Sequence, residues 1–527
     1  MHATEEHVEQ EDYHLLADQV IFQIRYLVDQ AQDIEERIIT VLEKFLNPPE
    51  GEPPANYWRN RLEPLPSKII NFSSPTQSMD SLERFAFVPL RIKDHPEDDL
   101  TPEDVLIVLN DAYIELGEQL IKLEGEKYTY TPLILDSSDP GIQLKSISPN
   151  FLVGSMYHPR PTGGPGSLPV SKPAPSLPQR KFKLKGHGTM DSLLPFRQPG
   201  APVVILDTAQ ALDDFPAEIK DIFVADPAME VFLYPDQPEL NGLARYGQPP
   251  DHYDMNDHGT FIASIIRTIT PSTKIYLYQV LNRFGEGSLT AISYGLVAAI
   301  NQRGEEATPL IFNCSFGVED ILPHRPQLPA LSEPSTQVLI FTCINDAFGW
   351  ATTHLNVKVV ASAGNDAKEG EAENGTQPDP RSPAKLDHIL SVAALPKGPV
   401  RDPARGNRYR PASYSNRAHA LGSAKDMTYS FATLGGERRK NRPYRSIGGP
   451  LGVYIGVIPK VKRDGTFLQD DPPNPTGWAR WSGTSFAAPV ITALLAAQDN
   501  ELEEHRPLLR NPHLNFNDEQ VIPIRQG

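Results

Sequence analysis

The 527-residue chain contains little cysteine: its two cysteines, Cys314 and Cys343, each follow or lie in an apolar run. Two cysteines are too few for the disulfide framework of a small secreted domain, so we expect both to be buried thiols. The chain also has no apolar run of ~18 residues, which excludes a transmembrane helix. Its first residues are acidic and polar, unlike the basic and apolar regions of a secretory signal. These absences together predict a cytoplasmic protein.

Positive charge is the second shortage. Lys and Arg number 49 against 67 Asp and Glu, which gives a net charge of −18. This balance argues against a nucleic-acid partner and against an anionic membrane surface. The basic stretch 401–445, which includes Arg438-Arg439-Lys440, is an exception. It is typical of a solvated insertion loop, although it would also suit an acidic partner.

The first segment, 1–50, contains apolar residues at three- and four-residue steps from 12 to 46, with charged residues between them. That spacing predicts one amphipathic helix, ended by Asn47-Pro48-Pro49. Two interpretations stay open. The helix docks on its own domain, or it forms a coiled-coil or partner-binding arm for a regulatory protein.

Residues 51–156 form the next predicted unit, of α+β type. The stretch 84–92 alternates like a strand, and Thr101-Pro102 marks the start of a helix. Residues 157–185 are rich in Pro, Gly and Ser without periodicity, so they are predicted to be a flexible or extended linker.

The remaining segment, 186–527, has a different pattern. Apolar runs at 202–206, 274–280, 310–314 and 357–361 are typical of strands buried on both faces. Helical stretches alternate with them, at 260–268, 289–302, 337–355 and 485–498. Such alternation predicts an α/β domain with a parallel sheet.

Two residues at element ends suggest acid–base chemistry in this domain. Asp207 ends the first buried strand, and side chains at the carboxyl ends of parallel strands gather at one edge of the sheet. His258 opens a helix, and histidine can accept and return a proton near neutral pH. A carboxylate could orient that imidazole, although Asp207 would equally serve as a turn cap. His252 and Asp254 suggest a metal site near His258. No second histidine follows His258 at helical spacing, so no metal site is predicted.

Two further residues supply a nucleophile and a hydrogen-bond donor. Ser485 lies in Trp481-Ser482-Gly483-Thr484-Ser485, a tight turn that leads into an apolar helix. The helix dipole favours negative charge there, which suits a nucleophile and equally suits an ordinary cap. Asn365 follows a buried strand, where its amide could donate to a developing oxyanion or simply form a turn with Gly364.

The order Asp207, His258, Asn365, Ser485, each in its own local motif, resembles the subtilisin-like serine peptidases over roughly residues 200–500. Ser382-Pro383-Ala384 and Ala412-Ser413-Tyr414-Ser415-Asn416 are similar to further family segments. The resemblance implies a subtilisin-like parallel-sheet domain flanked by helices. It also implies a triad of Asp207, His258 and Ser485, with Asn365 as oxyanion donor. Residues that line the substrate cleft are implied as well: Gly285, Gly287, Ser288, Ser315, Phe316, Gly317, Ala363 and Gly364.

Two positions depart from the family pattern: Ala209 stands where the family has glycine, and Phe261 stands where it has a second histidine. Neither belongs to the implied triad. No cofactor is expected. Structural calcium is common in the family, and Asp213-Asp214 and the stretch 251–257 are candidate loops, but no defined calcium loop is present.

The implied function is that of a serine endopeptidase acting on protein or peptide substrates. Residues 82–155 resemble in size and strand–helix–strand character the small inhibitory propeptide of such enzymes. Autoprocessing would then fall between about Gly154 and Lys185, whereas the alternative is a permanent regulatory domain. The alternative for the whole chain is a catalytically silent protein that keeps the fold as a binding scaffold.

Overall fold

The computed structural model of the chain separates into two compact units. The first contains Met1–Leu152 and Glu319–Cys343, and the second contains Val153–Val318 and Ile344–Gly527. The structure describes residues 15–26, 33–48, 57–72, 84–93, 102–124, 127–154, 167–176, 182–185, 190–192, 200–233, 254–303, 309–318, 328–353, 357–368, 370–371, 375–396, 411–420, 429–439, 442–461, 467–468, 472–497, 520–521 and 524–526.

The first unit is built on an antiparallel sheet. Its central strand, Leu15–Tyr26, pairs with Arg84–Ile92 on one side and with Ile142–Gly154 on the other. Shorter strands are Leu62–Pro64, Ile70–Asn71, Ile121–Glu124, Lys127–Tyr130 and Leu133–Ile134. The helices of this part of the chain are Ile34–Leu46, Tyr57–Asn60, Pro102–Leu120 and Pro329–Ser332, followed by Pro334–Thr353, which begins here and ends in the second unit.

The N-terminal helix predicted over 12–46 is wrong in its first half. Residues Leu15–Tyr26 form a strand, and of the residues that the structure describes in this stretch only Ile34–Leu46 is helical. The strand is covered on both faces, with Ile21, Phe22 and Ile24 almost fully buried. A strand buried on both faces is nearly continuously apolar, so its residues also match a helical template. Hydrogen bonding to strands on both sides makes Leu15–Tyr26 a strand and not a helix.

The second unit has an eight-stranded sheet whose neighbouring strands run parallel. In spatial order its strands are Glu230–Phe232, Ile275–Gln279, Val203–Asp207, Leu310–Cys314, Val357–Ser362, Leu390–Leu395, Ser430–Leu434 and Gln520–Val521. The helices that belong wholly to this unit are Ala217–Val224, His258–Ile269, Leu289–Arg303 and Thr484–Ala496. The predicted parallel-sheet α/β domain is therefore confirmed.

Short strands complete this unit: Val170–Ser171, Phe182–Lys185, Met190–Ser192, Glu286–Ser288, Gly317–Val318, Glu437–Arg439, Arg442–Ile447, Leu451–Val453, Lys460–Val461, Phe467–Leu468, Trp478–Arg480 and Ile524–Gln526. The hairpin of Glu437–Arg439 and Arg442–Ile447 lies in the basic stretch, of which 401–410 and 421–428 fall outside the described residues.

The predicted linker, residues 157–185, is paired with other strands where the structure describes it. Val170–Ser171 pairs antiparallel with Trp478–Arg480, and Phe182–Lys185 pairs with both Met190–Ser192 and Ile524–Gln526. Leu168 is buried in the main core of the second unit. The prolines that suggested a linker are compatible with an edge strand, which needs fewer backbone donors. Composition indicated an extended chain correctly but gave no sign that it was paired.

Candidate active site

Asp207 ends the central strand Val203–Asp207 and is fully buried. Its Oδ1 accepts a hydrogen bond from the Thr208 backbone N–H at 2.8 Å and lies 2.7 Å from His258 Nδ1. The strand is held on both sides by Ile275–Gln279 and Leu310–Cys314. The carboxylate is therefore fixed by the sheet, away from water.

His258 begins the helix His258–Ile269, and its ring is fully buried. Since Nδ1 faces a carboxylate, it carries the proton, and its N–H donates a hydrogen bond to Asp207. Nε2 is also buried and has no hydrogen-bond partner among the described residues. The imidazole thus presents an acceptor nitrogen on the side opposite Asp207.

The helix reaches Asp207 because Gly259 follows the histidine. A Cβ on Gly259 would lie 2.1 Å from the Thr208 carbonyl oxygen, so no side chain fits there. Thr208 also ties the junction together: its Oγ1 accepts from the Gly259 N–H at 3.1 Å and lies 3.2 Å from the Met255 carbonyl. Sequence reasoning did not single out Thr208.

Ser485 is the second residue of the helix Thr484–Ala496 and is fully buried. Its hydroxyl donates to the Ser315 carbonyl oxygen at 3.2 Å, and Ser315 Oγ donates to the Ser485 carbonyl at 2.9 Å. In this conformation the serine does not donate to His258. A nucleophile–base hydrogen bond would require the hydroxyl to rotate away from Ser315.

Thr484, the residue before Ser485, positions the side chain of Asn365. Its Oδ1 accepts from the Thr484 backbone N–H at 2.9 Å and lies 3.1 Å from Thr484 Oγ1. Its Nδ2 is buried without a partner among the described residues. The two contacts with Thr484 identify the oxygen end of the Asn365 amide. Both N–H groups of Nδ2 are therefore available to donate to an anion.

An aromatic cluster encloses the imidazole. The Trp481 ring meets the His258 ring edge-on at 5.4 Å, and the Phe486 ring lies at 5.2 Å. Phe261, where the family pattern has histidine, is buried and packs on Phe486 at 4.8 Å. The departure at Phe261 thus adds apolar contact beside the site, and Ala209 is buried in the same core.

Two of the predicted cleft segments, at Gly317 and at Gly285, lie beside residues 153–154. At the first segment, Gly317 and Val318 pair antiparallel with Gly154 and Val153. At the second segment, a Cβ on Gly154 would lie 3.7 Å from the Gly285 carbonyl oxygen. The chain's own residues 153–154 therefore lie beside Gly285 and Gly317, which the family resemblance assigned to the substrate cleft.

The remaining cleft residues have mainly local partners. Ser288 Oγ accepts from the Ala291 N–H at 3.2 Å, which caps the helix Leu289–Arg303. Gly287 is needed because a Cβ would lie 2.4 Å from the Val280 carbonyl. Gly364 has φ 126°, and a Cβ there would approach Asn416 Nδ2 at 2.5 Å. Phe316 and Ala363 are fully buried.

Asp257, which precedes the histidine, belongs to the candidate calcium stretch 251–257 and is a buried carboxyl. It accepts from the Gly456 N–H at 2.6 Å, the Ile455 N–H at 3.2 Å and Gln210 Nε2 at 2.8 Å. Burial raises the pKa of this carboxyl from 3.8 to about 6, although those hydrogen bonds oppose the shift. The sequence did not indicate these partners.

Glu286 is a second such group, on the edge strand Glu286–Ser288. Burial raises the pKa of its carboxyl to about 7, against a hydrogen bond from Asn282 Nδ2 at 3.2 Å.

Two of the candidate calcium residues are held in ion pairs. Asp213 pairs with Lys220, and Asp254 pairs with Arg283 at 2.8 Å. No group of three potential metal ligands occurs within the described ranges. His252 and residues 251–253 lie outside them. None of the described helices is long and apolar enough to cross a membrane.

The raised pKa of Asp257 predicts a pH dependence of stability. Below the unfolded-state pKa both states are protonated; between about pH 4 and 6 the unfolded chain ionises first, so wild type loses stability as pH rises. Relative to Asp257→Asn, this loss should total on the order of 3 kcal/mol. Urea unfolding of both proteins at pH 4, 5, 6 and 7 measures it. A constant difference across that range would contradict the prediction, whereas lost hydrogen bonds change only the offset.

Comparison with known proteins places this geometry in a family. The model of the subtilase family, peptidase S8, matches residues 222–507, which is more than half of the chain. A thermostable alkaline protease of Halalkalibacterium halodurans is 26% identical over 171 residues, which cover 31% of this chain and 38% of that protein. The chain thus matches little more than a third of that relative's length.

Solved structures are similar at lower identity. Sphericase is 18% identical, covering 60% of this chain and 84% of its own, with a TM-score of 0.33. The epidermin leader peptide processing serine protease of Staphylococcus aureus is 13% identical, covering 96% and 97%, with a TM-score of 0.42. With TM-scores below 0.5, these similarities carry no argument. The family model, together with the parallel sheet and the residues gathered at its edge, shows that this chain belongs to the subtilase family.

Proposed function

We propose that this chain is a serine endopeptidase that hydrolyses peptide bonds through an acyl-enzyme. The observation that carries the proposal is the paired state of His258: Nδ1 is bound to Asp207, while Nε2 is buried with no partner among the described residues. An imidazole held in this tautomer is ready to accept a proton from a serine hydroxyl.

In the first step Ser485 Oγ attacks the substrate carbonyl carbon and His258 Nε2 takes the hydroxyl proton. Asp207 stabilises the imidazolium that results. The leaving amine then accepts that proton from His258 as the peptide C–N bond breaks. Water repeats the sequence on the ester, which releases the acid and restores the serine.

The oxyanion formed in each step needs hydrogen-bond donors. Asn365 Nδ2 and the Ser485 backbone N–H are the proposed donors. Thr484 connects the two, because it fixes the amide oxygen of Asn365 and precedes Ser485. The donor and the nucleophile are thereby held in one rigid group.

The N-terminal region is proposed to restrain the enzyme as a propeptide-like or regulatory domain. Pairing of Val153 and Gly154 with Val318 and Gly317 supports this, since it follows the geometry of strand addition expected for a bound substrate. Self-cleavage between about Gly154 and Lys185 would then release the enzyme. The proposed compartment is the cytoplasm, which suits the two buried free thiols. A regulatory partner would act through the N-terminal region, where the helix is limited to Ile34–Leu46.

Replacing the nucleophile tests the activity. Ser485→Ala should abolish both casein hydrolysis and labelling by a fluorophosphonate probe, because no other group takes its place in the acyl-enzyme. Ser293→Ala is the matched control, since it removes a buried hydroxyl on a different helix. Casein cleavage that persists in purified Ser485→Ala would refute the proposal. Absence of labelling in wild type would favour the catalytically silent scaffold.

Removing the oxyanion donor tests the role of Asn365. Both Asn365→Ala and Asn365→Asp should lower kcat by about 10²–10³ with a smaller change in KM. Asp keeps the side-chain volume and an oxygen for the Thr484 contacts, so a loss of kcat in this variant does not come from a cavity. It replaces the N–H donors by a carboxylate oxygen, whose charge also opposes an oxyanion. The steady-state kinetics of both variants measure this. A kcat for Asn365→Asp within twofold of wild type would rule out the donor role.

Processing is tested by intact mass. Wild type after incubation should yield fragments from one cut between about Gly154 and Lys185, whereas Ser485→Ala should remain whole because the cut is made by its own serine. Addition of wild type to Ser485→Ala tells intermolecular from intramolecular cleavage. A wild-type chain that stays intact while it hydrolyses casein would favour a permanent regulatory domain.

A further inference from the structure

Asn416 contacts the backbone on both sides of Asn365, the proposed oxyanion donor. Its own N–H donates to the Gly364 carbonyl oxygen at 3.0 Å, and its side-chain Oδ1 accepts from the Asp366 N–H at 2.8 Å. Asn416 is only 1% exposed, so water does not compete for these hydrogen bonds. One residue therefore holds the peptide groups that flank Asn365.

Both N–H groups of the Asn416 amide are used within the protein. Nδ2 donates to Asp366 Oδ2 at 2.8 Å and to the Asp379 carbonyl oxygen at 3.0 Å. Asn416 therefore has no donor left for a substrate. Any effect of this residue on catalysis must pass through the residues that it holds.

A two-pronged ion pair fixes the carboxylate to which Asn416 donates. Arg381 donates from Nε to Asp366 Oδ2 and from a terminal nitrogen to Oδ1, each at 2.7 Å. The Arg381 backbone N–H donates to the Ala363 carbonyl oxygen at 3.0 Å. Paired hydrogen bonds between a guanidinium and a carboxylate restrict orientation as well as distance. Asn416, Asp366 and Arg381 thus form one network around the turn 363–366.

The fit between Asn416 and this turn leaves no free space. Gly364 has φ 126°, a conformation that glycine adopts readily, and a Cβ there would lie 2.5 Å from Asn416 Nδ2. Thr484 already holds the Oδ1 end of the Asn365 side chain. Asn416 holds the other end, which is the backbone from which that side chain projects. The Asn365 amide is therefore fixed from both ends.

We propose that Asn416 is a positioning residue for the oxyanion donor. By bridging the peptide groups on both sides of Asn365, it holds Nδ2 of that residue at the place where the substrate oxygen gains negative charge. The proposal rests on the proposed peptidase function and on the donor role of Asn365. A displacement of about 1 Å can cost a large part of a catalytic effect, so loss of Asn416 should lower turnover although its side chain lies outside the reaction.

A double-mutant cycle between Asn416 and Asn365 tests whether the first residue acts through the second. Asn416→Ala should lower kcat for casein about tenfold, with KM within about twofold of wild type, because a misplaced donor weakens only the transition-state contact. In the Asn365→Ala background the same change should lower kcat by less than about twofold, since no donor remains to be misplaced. A residue that only stabilises the fold would give the same fold-change in both backgrounds.

Asn474→Ala is the matched control. Asn474 is also buried, and its Nδ2 donates to the Tyr454 and Trp478 carbonyl oxygens at 2.7 and 3.0 Å, while its Oδ1 accepts from Ser171 Oγ at 2.8 Å. None of these partners belongs to the turn 363–366. Asn474→Ala should therefore lower the midpoint of thermal unfolding, as Asn416→Ala does, and keep kcat within about twofold of wild type.

Three outcomes would overturn the proposal while wild type hydrolyses casein: a wild-type kcat in Asn416→Ala, an equal loss in both backgrounds, or an equal loss in Asn474→Ala. If Asn416→Ala does not fold, Asn416→Ser, which keeps a small polar side chain, replaces it in the cycle, and its loss of kcat should likewise depend on Asn365. Wild type that neither hydrolyses casein nor takes the fluorophosphonate label refutes the peptidase function itself, and the role of Asn416 with it.

Discussion

The buried hydrogen bond between Asp207 and His258 is the constraint on which the rest of the site depends. It requires the first turn of one helix to meet the end of the central strand closely enough that only glycine fits at position 259. Thr208 then bridges the strand end to the helix start through its side chain. Because both partners are buried, their interaction is not screened by water as it would be at the surface. The close packing of sheet and helix is therefore what gives the imidazole its orientation.

The second half of the site is organised by a single turn. Trp481 contacts the imidazole, Thr484 fixes Asn365, and Ser485 follows directly. The proposed base, oxyanion donor and nucleophile are thus connected through residues 481–485, which continue into a buried helix. Small displacements of this turn would affect all three groups together, which is a reason for its many backbone contacts.

Two extended segments of the chain pair with strands near that turn. Val153 and Gly154 pair with Val318 and Gly317, and Val170 and Ser171 pair with the strand that leads to Ser482. Such backbone pairing depends little on side-chain identity, so the composition of these segments does not reveal it.

Much of the second unit was predictable from the sequence. The buried strands stood out because they form apolar runs. Asp207 and Asn365, which end or follow strands, and His258 and Ser485, which begin helices, stood out because each lies in its own local motif. The strand at Leu15–Tyr26 was not predictable, because a strand buried on both faces has no period that separates it from a helix. The hydrogen bonds of Thr208 and Asp257 were not predictable either, because they join residues far apart in the chain.

By itself the sequence determined the local chemistry: which side chains can carry protons, act as nucleophile or donate to an anion, and on which kind of element each lies. Only the tertiary structure decided which nitrogen of His258 faces Asp207, which amide atom of Asn365 is left unpaired, and that residues 167–172 are docked. These outcomes rest on hydrogen bonds between residues far apart in the chain, whose partners are chosen by the packing of the sheet and helices and leave no periodic pattern in the sequence.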